Sequence, residues 1–263
     1  MTSRAWPVFL AYLVAVLTII LASLVAVGAL RAVNPDLQDA ELLTGVSGLI
    51  AGGLASSTAL VLTLVLVSQP FEAAALRLLP GRETGADLAA AIAGMLSLGQ
   101  MLDSLTMLTG LGRQGAMPAI RRALTGVEGG ELLAAVLVLG VMAGTAEELF
   151  FRGYMQTRLR AAWRPGLAIF STSVAFALLH IEWIHAAMAL VLGLYLGVLT
   201  ERAGSALPAI ACHVVNNSVF TVAVALGGTI DDRRTNAILL VASVLLFVTC
   251  AGFLARRLPR ALA

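Results

Sequence analysis

Long apolar runs constrain this chain more than any other feature of its sequence. A helix needs about 20 mostly apolar residues to cross a bilayer, and irregular backbone cannot face lipid because its polar groups would lose their hydrogen bonds. The 263 residues are 59% hydrophobic and only 12% charged, whereas soluble domains carry about 25% charged residues. The sequence therefore predicts an all-α polytopic membrane bundle of about eight transmembrane helices, at 7–31, 42–70, 88–110, 130–160, 166–181, 184–201, 207–228 and 236–256.

The connections between these runs are short, so we expect a single integral membrane domain over residues 1–263. The fifth and sixth runs are short for a span, which predicts tilted or shallow helices. No repeat or low-complexity linker divides the chain.

All the basic residues are arginines, and their distribution predicts an orientation. If eight helices cross, most arginines share one side with both termini, which the positive-inside rule makes cytoplasmic. The basic segment AMPAIRRALTGVEGGE falls on the other side and contradicts this assignment unless it forms an interfacial amphipathic helix. Because the arginines lie in short loops and not on one basic face, we expect no nucleic-acid partner. The arginines assigned to the cytoplasmic side are Arg4, Arg77, Arg82, Arg158, Arg160, Arg164, Arg202, Arg256, Arg257 and Arg260.

The segment GTAEELFFRGYM places three ionisable residues inside the fourth apolar run. Glu148 and Arg152 are four residues apart, so they share a helix face and can pair. Glu147 lies about 100° round the helix and is free to face another group. Intramembrane acids usually mark functional sites. The alternative is a buried charge cluster near a helix end, without a further role.

The segment FALLH carries Phe176 and His180 on the next helix. The turn WRPG at 163–166 separates the two helices, and Glu147 and His180 are nearly equidistant from it. An antiparallel pair would therefore put this carboxylate and imidazole at similar depth. The alternative is a hydrogen-bonded histidine of the core.

The segment HVVNN carries His213 and Asn217 four residues apart, hence on one face. Alone, this pair would favour interhelical hydrogen bonding without catalysis. Together, the three segments predict a polar centre that supports two chemistries. In one, Glu147 and His180 hold a water, Glu147 takes its proton, and His213 and Asn217 donate hydrogen bonds to the oxyanion. In the other, a zinc ion bound by His180, His213 and Glu147 acidifies the water; the sequence does not decide between them.

The three segments resemble the EExxxR, FxxxH and HxxxN motifs of the CAAX-protease and bacteriocin-processing family (CPBP, also called Abi), which includes the Ras-converting endopeptidase. The resemblance implies a catalytic core at 130–228 that hydrolyses a peptide bond near the C-terminus of a membrane-associated protein or peptide. It implies that Glu147 activates water with His180, and that His213 and Asn217 form the oxyanion site. Glu148 and Arg152 would support these groups and Phe176 would wall the site. A glutamate-type mechanism without metal is favoured, with Zn²⁺ as the alternative.

Two other functions remain open at this stage. A non-catalytic immunity or scaffold protein of the same family could keep the polar centre, although it would not need all four groups. A small proton-coupled transporter could use the same residue types, although the sequence shows no internal repeat. The alanine-rich and leucine-rich composition indicates a bacterial protein, so we expect a multi-pass protein of the inner (cell) membrane.

Several further polar or small residues receive their own predictions. Glu182 and His185, in HIEWIH, are expected at the surface or rim of the bundle. Gln100, Asp103 and Ser104 either line a substrate entrance or lie half-exposed near the membrane surface. Gly193 and Gly197 are expected to permit close helix packing.

Overall fold

The protein is a bundle of helices, seen in a computed structural model that describes residues 5–36 and 38–258, without the side chains of residues 39–41. Across these residues there are ten helices and no strand, which confirms the predicted all-α membrane bundle. The helices are α1 (Trp6–Val33), α2 (Asp39–Thr44), α3 (Val46–Val67), α4 (Gly85–Thr109), α5 (Met117–Leu124), α6 (Gly129–Arg160), α7 (Pro165–Leu178), α8 (Trp183–Ala203), α9 (Leu207–Gly227) and α10 (Arg233–Arg257).

Seven of the described helices are long and apolar enough to cross a membrane, one fewer than the eight predicted. The exception is α7, whose 14 residues rise about 21 Å against a hydrocarbon core of about 30 Å. A turn at residues 179–182 ends α7 before a full crossing. The sixth predicted run, in contrast, is a full helix of 21 residues, α8. The short helix places its C-terminal turn inside the bundle, where the polar centre lies.

Loops that carry most of the arginines meet at one end of the bundle, the arginine-rich end, which we define by Arg77, Arg160, Arg202 and Glu201. Nη1 of Arg77 and Nε of Arg160 lie 2.6 and 3.0 Å from the two carboxylate oxygens of Glu201. Nη1 of Arg202 donates to a carbonyl at the end of α10 at 2.7 Å. These contacts bring the predicted cytoplasmic loops together, while the side of the membrane they face stays a prediction. Two arginines assigned to this end lie outside the described residues: Arg4 and Arg260.

At the opposite end, the basic segment forms the amphipathic helix α5. Its Met117, Arg121 and Leu124 are buried, whereas Arg122 is exposed. The Arg121 guanidinium forms an ion pair with Asp103 of α4. The helix therefore packs one face into the end of the bundle, which goes beyond the interfacial placement expected from the sequence.

Helix α6 departs from α-helical winding at two places along its length. Two π-helical stretches, Val136–Met142 and Leu149–Gln156, enclose the α-helical segment Ala143–Glu148. Such π turns are rare and occur frequently at functional sites. The segment between them carries the two glutamates of the polar centre.

A ladder of polar contacts fixes α6 against α8. Nη2 of Arg152 donates to the Gly193 carbonyl at 2.9 Å, and Nε2 of Gln156 donates to the Gly197 carbonyl at 3.0 Å, one helical turn further. A Cβ atom at Gly193 would lie 3.1 Å from that Arg152 nitrogen, and one at Gly197 would lie 2.9 Å from the side chain of Ile169. The predicted close packing at the two glycines is confirmed, because a larger residue would push the helices apart.

Candidate active site

The site is built on a fully buried ion pair within α6. Glu148 and Arg152 are both 0% exposed, and Nη1 of Arg152 lies 2.7 Å from Oε1 of Glu148. The guanidinium also lies over the Phe176 ring, 4.9 Å from its centre. The predicted pairing at a spacing of four residues is therefore confirmed. Because its guanidinium contacts Glu148, the Phe176 ring and the Gly193 carbonyl, Arg152 holds α6, α7 and α8 together at one point.

His213 of α9 lies between the two glutamates. Its Nδ1 lies 2.8 Å from Oε1 of Glu148, and its Nε2 lies 3.6 Å from Oε2 of Glu147. A hydrogen bond at one ring nitrogen fixes the orientation of an imidazole and so directs the other nitrogen. Glu148 thereby aims Nε2 of His213 towards Glu147. The sequence paired Glu147 with His180, and the rotation of α9 that brings His213 to it was not predicted.

His180 follows α7 directly and lies beside a second histidine. Its Nδ1 is 3.1 Å from the Phe176 carbonyl, and its ring packs edge-to-face on the Phe176 ring with centres 5.0 Å apart. The ring of His185 lies 4.5 Å from that of His180. The expectation of a rim position for His185 is wrong, because this residue is half-buried and faces the polar centre.

The turn between α7 and α8 explains how the two histidines meet. Ile181 has a left-handed φ of 55°, which reverses the chain within one residue. The Glu182 carboxylate then accepts hydrogen bonds from the backbone N–H groups of Ile184 and His185, at 2.9 and 3.0 Å, and caps α8. Glu182 is thus a helix cap at the start of α8. The spacing of HIEWIH contains both histidines, but only this tight turn brings their rings together.

Asn217 contacts the irregular part of α6. Its Nδ2 donates to the Leu139 carbonyl, in the first π stretch, at 3.3 Å. Asn216 donates in turn to Oδ1 of Asn217, also at 3.3 Å. The amide of Asn217 is therefore held by α6 on one side and by its neighbour on the other, one turn beyond His213.

The four predicted catalytic residues line one cavity of about 540 Å³. Glu147, His180, His213 and Asn217 all contribute to its wall, as does Phe176. The rest of the wall is mainly apolar. Glu148 and Arg152 do not line the cavity; they lie behind its wall, where Glu148 contacts His213 and Arg152 contacts the ring of Phe176. The arrangement gives a carboxylate, two imidazoles and an amide around one cavity.

The cavity continues towards the end of the bundle where α5 packs. Gln100 and Asp103 line it there and are both half-buried, while a substrate entrance at these residues stays a prediction. Ser104, in contrast, is fully buried and accepts a hydrogen bond from Gln100 at 3.0 Å.

The same residues do not form a preformed zinc site. Within the described part of the chain, no group of three His, Cys, Asp or Glu side chains is arranged to hold a metal ion. Nδ1 of His213 lies against Glu148, and Nδ1 of His180 against a backbone carbonyl, contacts that orient the Nε2 atom of each ring. The choice between the metal-free mechanism and the alternative ligand set of His180, His213 and Glu147 stays a prediction.

A comparison with known families agrees with the motifs. Residues 129–219 match the family model described as Type II CAAX prenyl endopeptidase Rce1-like. The match runs from the start of α6 into α9 and contains every residue of the polar centre, while the remaining helices lie outside it. No curated protein and no solved structure matches the chain. Residues 129–219 of the chain are therefore similar to the CAAX prenyl endopeptidases of the Rce1-like family.

Proposed function

We propose that the protein is an intramembrane endopeptidase that hydrolyses a peptide bond near the C-terminus of a membrane-associated protein or peptide. The observation that carries the proposal is the convergence of Glu147, His180, His213 and Asn217 on one cavity of the bundle. Hydrolysis needs a base for water and donors for the oxyanion. This cavity offers both.

Glu147 is the base in the proposed reaction. It takes a proton from a water held between its carboxylate and His180, and the water oxygen attacks the carbonyl carbon of the scissile bond. Asn217 and the protonated ring of His213 donate hydrogen bonds to the oxyanion that forms. Glu147 then gives its proton to the amide nitrogen, the C–N bond breaks, and a carboxylic acid and an amine result. Contacts such as the 3.6 Å between Glu147 and His213 commonly tighten once substrate is bound.

Glu148 and Arg152 are positioning residues in this scheme. The hydrogen bond from His213 to Glu148 sets the direction of the imidazole, as second-layer partners of catalytic histidines do. Arg152 neutralises Glu148 without touching the cavity. Phe176 separates this charged pair from the reacting space.

We also propose that the protein resides in a bacterial inner membrane with both termini cytoplasmic. The clustering of arginine-bearing loops at one end of the bundle supports this orientation. The client then approaches through the bilayer, and its cleavable segment enters the cavity.

The test compares the C-termini of membrane proteins in a deletion strain complemented with wild type, Glu147→Gln or Glu131→Gln. Glu131 lies exposed in the first turn of the same helix and is the matched control. Mass spectrometry should find the same unprocessed C-termini in the deletion and Glu147→Gln strains, and processed ones with wild type and Glu131→Gln. All variants are checked for equal membrane insertion.

Processing that persists with Glu147→Gln would refute the hydrolytic proposal. A phenotype of the deletion that Glu147→Gln fully rescues would instead indicate an immunity or scaffold protein. Proton-coupled uptake in vesicles that is lost on the same substitution would indicate a transporter.

A further inference from the structure

Asn216 is a half-buried side chain of the cavity wall that the proposed reaction does not use. It precedes Asn217 on α9, and the two side chains meet, because Nδ2 of Asn216 lies 3.3 Å from Oδ1 of Asn217. Its own Oδ1 faces α4, where a Cβ atom at Gly99 would lie 2.7 Å from it. Asn216 therefore fills the space between Asn217 and α4.

The partners of Asn217 determine which way its amide faces. The Leu139 carbonyl can only accept a hydrogen bond, so the atom of Asn217 that lies 3.3 Å from it must be the amide nitrogen. The amide oxygen of Asn217 then faces Asn216, which must supply a donor. A turned Asn217 amide would place oxygen against the carbonyl and nitrogen against the nitrogen of Asn216, and both contacts would be repulsive. Asn216 and the Leu139 carbonyl together thus select one of two orientations.

The Leu139 carbonyl is held in place by close contact between α6 and α9. A Cβ atom at Gly140, next in sequence, would collide with Ser218, which follows Asn217. The two helices can lie this near each other only because Gly140 has no side chain. The acceptor that orients Asn217 is therefore fixed by the backbone, whereas its donor belongs to a side chain, Asn216, that a substitution can remove.

We propose that Asn216 is a positioning residue that holds the amide of Asn217 in the orientation required to donate to the oxyanion. The amide nitrogen of Asn217 has two hydrogens and the Leu139 carbonyl takes one, so one N–H remains for the substrate. Without the donor of Asn216, the turned amide becomes more populated and places an oxygen where the oxyanion needs a donor. The proposal rests on the proposed function, because it takes Asn217 to contact the oxyanion.

A double-mutant cycle on the purified full-length protein in lipid nanodiscs tests the role. Asn216→Leu nearly keeps the size of the side chain and removes the donor without adding a charge. With a pool of lipid-anchored random decapeptides as substrate, it should lower the apparent kcat about tenfold, the worth of one hydrogen bond, with little change in KM. Asn217→Ala should lower kcat by about 10²–10³, and adding Asn216→Leu to it should cause no further loss.

The cycle separates positioning from support of the fold. If Asn216→Leu lowers kcat by the same factor with and without Asn217, it does not act through that residue and the assignment is overturned. Asn34→Leu is the matched control, because Asn34 also donates from Nδ2, to the Leu30 carbonyl at 3.0 Å, but at the end of α1. It should keep the kcat of wild type.

A second pair of variants moves Asn216 without replacing it. In Gly99→Ala the new Cβ atom should displace the amide of Asn216, since the end of a side chain shifts more easily than two helices, and kcat should fall about as far as in Asn216→Leu. No other atom outside α4 lies within 4 Å of that Cβ position. Gly99→Ala/Asn216→Ala should therefore have the kcat of Asn216→Ala alone, and a further loss in the double variant would contradict the assignment.

An NMR measurement does not depend on hydrolysis. The chain has four asparagines, so protein labelled with ¹⁵N in the asparagine side chains gives four amide signals: Asn34, Asn216, Asn217 and Asn236. Asn216→Leu should speed hydrogen exchange of the Asn217 amide about tenfold, while the buried Asn236 amide keeps its rate and shows that the fold is intact. An unchanged rate at Asn217 overturns the positioning role. Faster exchange there, with no cleavage by wild type, counts against the proposed hydrolysis alone.

Discussion

The buried Glu148–Arg152 pair gives a quantitative prediction. Glu148→Gln keeps the size of the side chain and an oxygen that can accept from Arg152, but it removes the negative charge. The guanidinium is then left 0% exposed without its ion-pair partner. Removing one partner of a buried ion pair costs about 3–5 kcal/mol. We expect the lower value of about 3 kcal/mol, because the amide oxygen still accepts a hydrogen bond, and this corresponds to about a 10²-fold loss in the folding equilibrium.

The assay is reversible unfolding of the purified protein in mixed micelles of increasing SDS content, followed by tryptophan fluorescence. The double variant Glu148→Gln/Arg152→Met removes both charges and should recover to within about 1 kcal/mol of wild type. Glu131→Gln, exposed on the same helix, should change stability by less than about 0.5 kcal/mol. If the single and double variants are equally unstable, the charge imbalance is not the cause and the reasoning is refuted.

Three further predictions concern packing, backbone strain and orientation. Gly193→Val should cost about 1–3 kcal/mol in the same unfolding assay, because its side chain enters the α6–α8 contact, whereas Gly28→Val, with nothing within 4 Å of its Cβ position, should cost less; equal losses would contradict the packing argument. Ile181→Gly should raise stability by about 1 kcal/mol, since a left-handed φ of 55° strains a branched residue; a lower unfolding midpoint would show that the turn is not strained. In intact cells an impermeant maleimide should label Arg113→Cys but not Arg202→Cys, because the two residues lie at opposite ends of the bundle, while both native cysteines are buried and silent; labelling of both variants would contradict the topology.

Most of the fold follows from the lengths of the apolar runs in the sequence. Each predicted apolar run corresponds to a helix, because backbone in lipid must bond internally. The sequence also predicted that the fifth run is short. It did not predict how α7 ends or where α5 packs, since the left-handed turn at Ile181 and the Asp103–Arg121 contact depend on neighbouring helices. The π stretches of α6 were missed for the same reason, because no characteristic residue composition in the sequence accompanies their shifted hydrogen bonds.

The site was predictable where residues share one helix and less so between helices. A spacing of four residues was sufficient to predict the ion pair between Glu148 and Arg152. Distance from the WRPG turn was sufficient to place Glu147 and His180 on one cavity, since both depths follow from helical rise. The contact of His213 with both glutamates needed the rotation of α9 about its axis, which no local pattern determines. The clustering of His185 and Arg121 with this cavity was missed because each lies on an element whose orientation is set by tertiary packing.

The two π-helical stretches of α6 lie on either side of the short α-helical segment that carries Glu147 and Glu148. A deletion of one residue within Leu149–Gln156 could restore ordinary α winding there. Because the wide π winding takes up an extra residue, removing one would leave the helix that follows in its present direction and would change only the residue spacing within the stretch. Arg152, within this stretch, contacts both Glu148 and the Gly193 carbonyl, so the charged pair behind the cavity and the docking of α6 on α8 depend on the same piece of backbone.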